Sequence, residues 1–271
     1  KNNKSDEAIL NFKEAISLQS NFEQAHNNLG NILQDLERYD EAIQYYKKAI
    51  KANPNYADAY SNLGNSLSQL GKFNEAVINQ TQAIKLNPSN ANFYTNLGSS
   101  LTDLGKYDEA IVNHKKSIKL NPNFAEAYSN LGMALAEVGE FDQAIRNHQK
   151  AVSLNPSYTQ AILNESVIRL KLGDFKTGWK KYEARLGLSV KMRYQTEKIW
   201  DGKYLDGTLL VWCEQGIGDH IIFCSMLNDL RKLAKNILLE VDERLKKLLD
   251  RYFKQIDFLN IKIINFQDGI K

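Results

Sequence analysis

The sequence predicts an α-solenoid of stacked helical hairpins over residues 1–190, a linker at 191–207, and the opening of a partial α/β, Rossmann-like segment at 208–271. Three observations predict it. Asn-Leu-Gly recurs at Asn28–Leu29–Gly30, Asn62–Leu63–Gly64, Asn96–Leu97–Gly98 and Asn130–Leu131–Gly132, each glycine 34 residues after the last. Ala8, Ala42, Ala76, Ala110 and Ala144 keep the same step, as do Pro54, Pro88, Pro122 and Pro156 and the aromatics Tyr39, Phe73, Tyr107, Phe141 and Phe175. Beyond Leu186 the register stops, and short apolar runs alternate with glycine-rich turns. One period shared by several residue classes marks units that bury their apolar stripes by stacking on their neighbours.

Each unit reads as two helices. Ala57–Leu70 has Tyr60, Leu63, Leu67 and Leu70 at helical spacing, and Gly71 permits the left-handed turn that ends it. Phe73–Leu86 is the second helix, with Phe73, Ala76, Val77, Ala83 and Ile84 on its inner face. Asn87–Pro88 stops it, because proline disfavours helical geometry in the residue before it. Gly64 is expected to face Ala76 and Ala83 where the two helices approach. A lone second helix comes first, then four regular repeats and a degenerate fifth. In the fifth, Glu165–Ser166 replaces Leu-Gly and Gly178–Trp179 replaces Ala-Ile. Trp179 and Tyr182 are expected to dock the fifth repeat against the next domain, with Trp179 buried.

Asn-Leu-Gly, aromatic-x-Glu-Ala and Asn-Pro at period 34 resemble the tetratricopeptide-repeat (TPR) family over about residues 4–190. The resemblance implies that the first helix of each unit lines a concave groove holding an extended polypeptide. Asn28, Asn62, Asn96, Asn130 and Asn164 fall on that helix, with Asn31 and Asn65 beside them. An amide carries both a donor and an acceptor and so matches a peptide backbone. This ladder is similar to that of O-GlcNAc transferase. The same asparagines can instead bridge neighbouring helices. Asp35, Asp103 and Glu137 add acidity, and Ser61, Thr95 and Ser129 stand where a lysine would help clamp a terminal carboxylate. His114 and His148, one period apart, could form a metal pair or pack between helices; no carboxylate or thiol recurs with them, so packing is the reading and no metal is expected.

Farther on, Thr208–Cys213 reads as a buried strand, Glu214–Asp219 as a glycine-rich loop and His220–Leu233 as a helix. Ile237–Val241 reads as a second strand, Glu243–Phe253 as a helix and Ile261–Asn265 as a third strand, which implies parallel pairing through right-handed crossovers. Gly216-x-Gly218 lacks both the third glycine of a dinucleotide site and a phosphate-loop lysine, so neither NAD nor ATP is supported. Gly178–Trp179, Tyr182–Glu183-x-Arg185, Trp200-x-Gly202, Leu205-x-Gly207 and Glu214–Asp219 together resemble TPR proteins fused to heptosyltransferase-like, O-GlcNAc-transferase-like glycosyltransferases of the GT-B fold. The resemblance implies that Asp219 is a general base in a longer parent using a nucleotide-sugar donor. It also implies that Glu214, Gln215, Gly216 and Gly218 form its substrate loop. Asp219 can equally cap the following helix. The donor lobe is missing here, so no cofactor is expected in this chain. The alternative is a non-catalytic adaptor whose α/β segment is a structural cap.

Composition narrows the partners. A net charge of +3 and no basic block interleaved with aromatics disfavour nucleic acid. No apolar run approaches the roughly 20 residues needed to cross a bilayer. Cys213 and Cys224, with no CxxC, fit a reducing, cytoplasmic setting. The abrupt start at Lys1 leads us to expect a piece of a longer protein.

Overall fold

The glycine that follows each first helix sets the hairpin. Gly71, Gly105, Gly139 and Gly173 have φ of 73°, 73°, 83° and 81°, the left-handed region that only glycine enters without strain. The first repeat has Glu37 at that register, at φ 59°. In the computed structural model, which describes residues 2–184, 203–211, 229–241, 244–247, 249, 251 and 261–265, these turns join paired helices. Contacts divide the chain into one unit over residues 1–191 and another over 192–271.

In the first unit, α1 (Asn2–Leu18) stands alone before the hairpins. These pair α2 (Glu23–Asp35) with α3 (Tyr39–Ala52), α4 (Ala57–Gln69) with α5 (Phe73–Leu86), and α6 (Ala91–Asp103) with α7 (Tyr107–Leu120). They continue with α8 (Ala125–Glu137) and α9 (Phe141–Leu154), then α10 (Thr159–Lys171) and the short α11 (Phe175–Tyr182). Among the described residues, one unpaired helix thus precedes five hairpins, the last with a shortened second helix. Each hairpin packs leucines of the first helix (Leu63 and Leu67, Leu97 and Leu101, Leu131 and Leu135) against the small Ala76, Ala110 and Ala144 of the second. Each first helix also touches the first helix of the next repeat, as α4 does α6 and α6 does α8, more than successive second helices touch each other. The stack therefore curves with α2, α4, α6, α8 and α10 on its inner side.

The glycine of Asn-Leu-Gly is explained by one contact. A Cβ on Gly30, Gly64, Gly98 or Gly132 would lie 2.5, 2.7, 2.5 or 2.8 Å from the side chain of Tyr46, Gln80, His114 or His148. These four share one register on the second helix. Gly64 thus faces Gln80 and the Ala76 carbonyl rather than Ala76 and Ala83 side chains, because the helices are closest one turn beyond Ala76. In the fifth repeat the relation reverses: Leu170 is the bulky partner and Gly178 the small one, with a Cβ at Gly178 only 2.6 Å from Leu170 Cδ2.

The second unit has three parallel strands, β1 (Leu205–Val211), β2 (Ala234–Val241) and β3 (Ile261–Asn265), in the order β1-β2-β3. Central β2 buries Ile237, Leu239 and Val241. β1 begins at Leu205, three residues before the expected Thr208 and inside the stretch expected to be linker. An irregularity in the β1–β2 register between Leu205 and Thr208 takes up one extra residue on β1. β2 begins three residues earlier than expected, at Ala234, which is itself buried under the strand.

Candidate functional site

The site is built from helical periodicity. On α4, Asp58, Asn62, Asn65 and Gln69 stand at i, i+4, i+7 and i+11, and therefore share one face. The same stripe is Gln24, Asn28, Asn31 and Asp35 on α2, then Asn92, Asn96, Ser99 and Asp103 on α6. On α8 it is Glu126, Asn130, Met133 and Glu137, and on α10 Gln160, Asn164, Val167 and Lys171. These five stripes lie side by side on the inner face of the stack.

The central amides bridge the first helices. Asn62 Nδ2 donates to Asn27 Oδ1 at 3.1 Å and to Asn31 Oδ1 at 3.0 Å. Asn96 Nδ2 donates to Ser61 Oγ at 3.0 Å, and Asn130 Nδ2 to Ser99 Oγ at 3.1 Å. Ser66 Oγ to Gln34 Oε1 (2.8 Å) and the Ser68–Ser100 hydroxyl pair (2.7 Å) extend the seam. Of the two readings the sequence leaves open, bridging takes the donors. The Oδ1 atoms of Asn62, Asn96 and Asn130, on half-buried side chains, have no protein donor among the described residues, so each rung keeps an acceptor facing the groove.

The outer rungs differ for a physical reason. Asn28 is exposed because only a second helix, α1, precedes it, leaving no first helix to bridge to. Asn164 accepts from Gln160 Nε2 at 2.9 Å, and its own Nδ2 is buried without a partner. The residue corresponding to Asn31 and Ser99 on the helix before it is Met133, which offers no oxygen. Asn31 is itself a hub, accepting also from Tyr46 OH at 2.9 Å, while Asn65 accepts from Gln80 Nε2 at 3.3 Å. Burial, with nearby Asp35 adding to it, pushes the Tyr46 phenol well up from its ordinary value.

His114 and His148 are fully buried with their rings against Gly98 and Gly132, and none of their four ring nitrogens has a hydrogen-bond partner. They are packing residues. Burial pulls both down to about 4.

Sequence reasoning missed one cluster. Glu165, fully buried, receives Arg169 Nε at 2.8 Å, Gln149 Nε2 at 3.1 Å and Lys181 Nζ at 2.9 Å. Arg169 reaches on to Asp174 at 2.9 Å. Burial alone would raise the Glu165 carboxyl, but the bonds from Lys181, Arg169 and Gln149 bring it below its ordinary value. A carboxylate in place of the repeat's leucine, with an arginine four residues on, was the signal available. Trp179 is 58% exposed rather than buried, its ring edge-on to Tyr182 at 5.6 Å, because no described helix follows α11 in the repeat unit to cover it. Glu214, Gln215, Gly216, Gly218 and Asp219 lie outside the described residues.

Hairpins of two helices with a glycine packed on a large side chain at one register, stacked through a polar seam, define a helical-repeat solenoid. Models of the tetratricopeptide repeat match residues 21–89, 80–112, 98–139 and 125–158, an unbroken overlapping span. The chain belongs to the tetratricopeptide-repeat family. These matches end at residue 158, and none extends into the three-stranded unit. Protein FlbA of Caulobacter vibrioides is 32% identical over 100 residues, covering 34% of this chain but only 17% of its own length. Among solved structures, MamA is 28% identical with a TM-score of 0.51, over 59% of this chain and 93% of that one. YrrB, described as a TPR protein with an unusual peptide-binding site, is 22% identical with a TM-score of 0.50, over 67% and 93%. No helix among the described residues is long and apolar enough to cross a membrane.

Proposed function

We propose that the repeat unit is a protein-interaction scaffold holding an extended polypeptide along Asn28, Asn62, Asn96, Asn130 and Asn164, with Asn31 and Asn65 alongside. The observation that carries this reading is the set of unshared Oδ1 acceptors on Asn62, Asn96 and Asn130, repeated once per hairpin on the inner face. A β-extended segment presents backbone N–H groups outward and can donate to them without its side chains being read. The peptide-binding site described for YrrB lends the reading a precedent within the same fold. Selection from a library of synthetic peptides, followed by hydrogen-exchange footprinting, tests it. Bound peptides should protect α2, α4, α6 and α8, and replacing Asn62, Asn96 and Asn130 with Ala should weaken them by about 1–3 kcal/mol in total. Protection confined to the outer faces of α3, α5 and α7 would sink it.

A second reading is favoured by the parallel order of β1, β2 and β3. In it the three-stranded unit begins a GT-B glycosyltransferase lobe, with Asp219 as general base beside the loop of Glu214, Gln215, Gly216 and Gly218. The repeats would then recruit the acceptor polypeptide in the cytoplasm, and a full-length parent would bind a nucleotide-sugar donor. Its competitor is an adaptor in which the same strands only cap the solenoid. Glycosyl transfer by the full-length protein, lost in Asp219→Asn, separates the two.

A further inference from the structure

Over its first four repeats the inner face carries charge of one sign, and Lys171 on α10 is the first cation in the stripe. Helices α2, α4, α6 and α8 contain Glu23, Asp35, Asp58, Asp103, Glu126 and Glu137 and not one lysine or arginine. The chain as a whole is net positive at +3, and its lysines gather on the second helices at Lys47, Lys48, Lys51, Lys115, Lys116 and Lys119. Asp35, Asp103 and Glu137 hold one register, in the last turn of their helices, where the macrodipole is negative and disfavours an anion. None of the three forms an ion pair among the described residues, and all are exposed. Partial desolvation on the inner side raises the Asp103 and Glu126 carboxyls although both remain exposed, and no cation lies at hand to offset it.

Polarity also changes along the groove. The position beside the ladder reads Asn31, Asn65, Ser99, Met133 and Val167, so its last two members are apolar, and they are 38% and 55% exposed. The position before the ladder runs in parallel, from Asn27, Ser61, Thr95 and Ser129 to Leu163. An apolar pair left open beside Glu137 and the unpartnered Asn164 amide marks one end of the face as different from the rest.

We infer that the occupant is a basic extended segment, its lysine or arginine side chains set against Asp35, Asp103 and Glu137 and an apolar side chain at one end seated on Met133 and Val167. This rests on the groove reading above and gives it a chemical class and a register. A cation brought to Asp35, Asp103 or Glu137 is favoured twice, by the carboxylate and by the negative helix end. An acidic segment meets the opposite field at the first, third and fourth repeats, where Asp35, Asp103 and Glu137 stand.

The test uses the full chain and three synthetic peptides read by fluorescence anisotropy: Lys/Asn repeats ending in two leucines, the same without the leucines, and the first with Glu for Lys. The first should bind tightest and weaken with salt, the second more weakly, and the Glu peptide least. The triple variant Asp35→Asn, Asp103→Asn, Glu137→Gln should lose roughly tenfold for the first peptide. It should remain folded by circular dichroism, since it removes anions from helix C-termini, whereas Lys115→Gln with Lys116→Gln should change nothing. Equal binding of the Lys and Glu peptides, an unaffected triple variant, or no binding at all overturns the inference. If the peptides bind without preference and the Asn62, Asn96 and Asn130 variant abolishes binding, the groove stands and only its charge selectivity falls.

Discussion

Lowering the pH from about 7.5 to about 5 should cost the repeat unit several kcal/mol through two histidines alone. In the folded chain His114 and His148 are sealed against Gly98 and Gly132 without hydrogen-bond partners, and burial brings their pKa from 6.5 to about 4. In the unfolded chain they return to about 6.5. Between the two values the unfolded state binds protons that the folded state refuses, so the stability is fully present above 6.5 and lost as pH falls toward 4. Linkage puts the loss at about 2 kcal/mol per histidine at pH 5, or about 4 kcal/mol for the pair. The lowered Glu165 loses its contribution only below its ordinary 4.5, and the raised Asp103 and Glu126 favour the folded state on acidification equally in wild type and variant, so they cancel in the comparison below. Gln80 already fills the same register in the second repeat, so His114→Gln with His148→Gln keeps the size and removes the titration. An amide buried at 148 opposite Met133 lowers stability by the same amount at both pH values and cancels in the difference. Urea denaturation followed by circular dichroism gives the wild-type and double-variant losses between the two pH values. If both lose the same stability, the buried neutral histidines are not the cause and the reasoning is wrong.

Three further substitutions test single positions. Glu37→Gly should stabilise the first hairpin by up to about 1 kcal/mol, the relief of a left-handed non-glycine residue less the entropy glycine brings to the unfolded chain, read as a raised Tm. Gly71→Glu at the matching turn should lower it. Lys181→Met should destabilise α10 and α11 by about 1–3 kcal/mol by removing a charged partner from buried Glu165. It should also move the acid unfolding midpoint to higher pH, as the carboxyl loses what keeps it ionised; an unchanged midpoint would refute the part assigned to Lys181.

The repeat was legible in the sequence because its signal is local and redundant. Glycine at a left-handed turn, proline after a helix and leucine at helical spacing each impose the same hairpin, and repetition removes the ambiguity of any one copy. The parallel strands could be read for a similar reason, since short apolar runs separated by helical lengths leave few ways to pair. The partner of the Asn-Leu-Gly glycine was not legible. Tyr46, Gln80, His114 and His148 share a register but no chemistry, and only the packed hairpin reveals that each fills the space a Cβ would occupy. The fate of the ladder was likewise settled in space. Asn62, Asn96 and Asn130 look identical in sequence, and the oxygens that take their donors lie on the preceding hairpin, 31 to 35 residues away. Where Met133 replaces that oxygen the ladder ends at Asn164, and where Leu-Gly would have continued the core, Glu165 is held by two cations and an amide. Sequence period determined which residues share a face; the curvature that brings one hairpin's face against the next decided which of their atoms are already bonded and which remain for a partner.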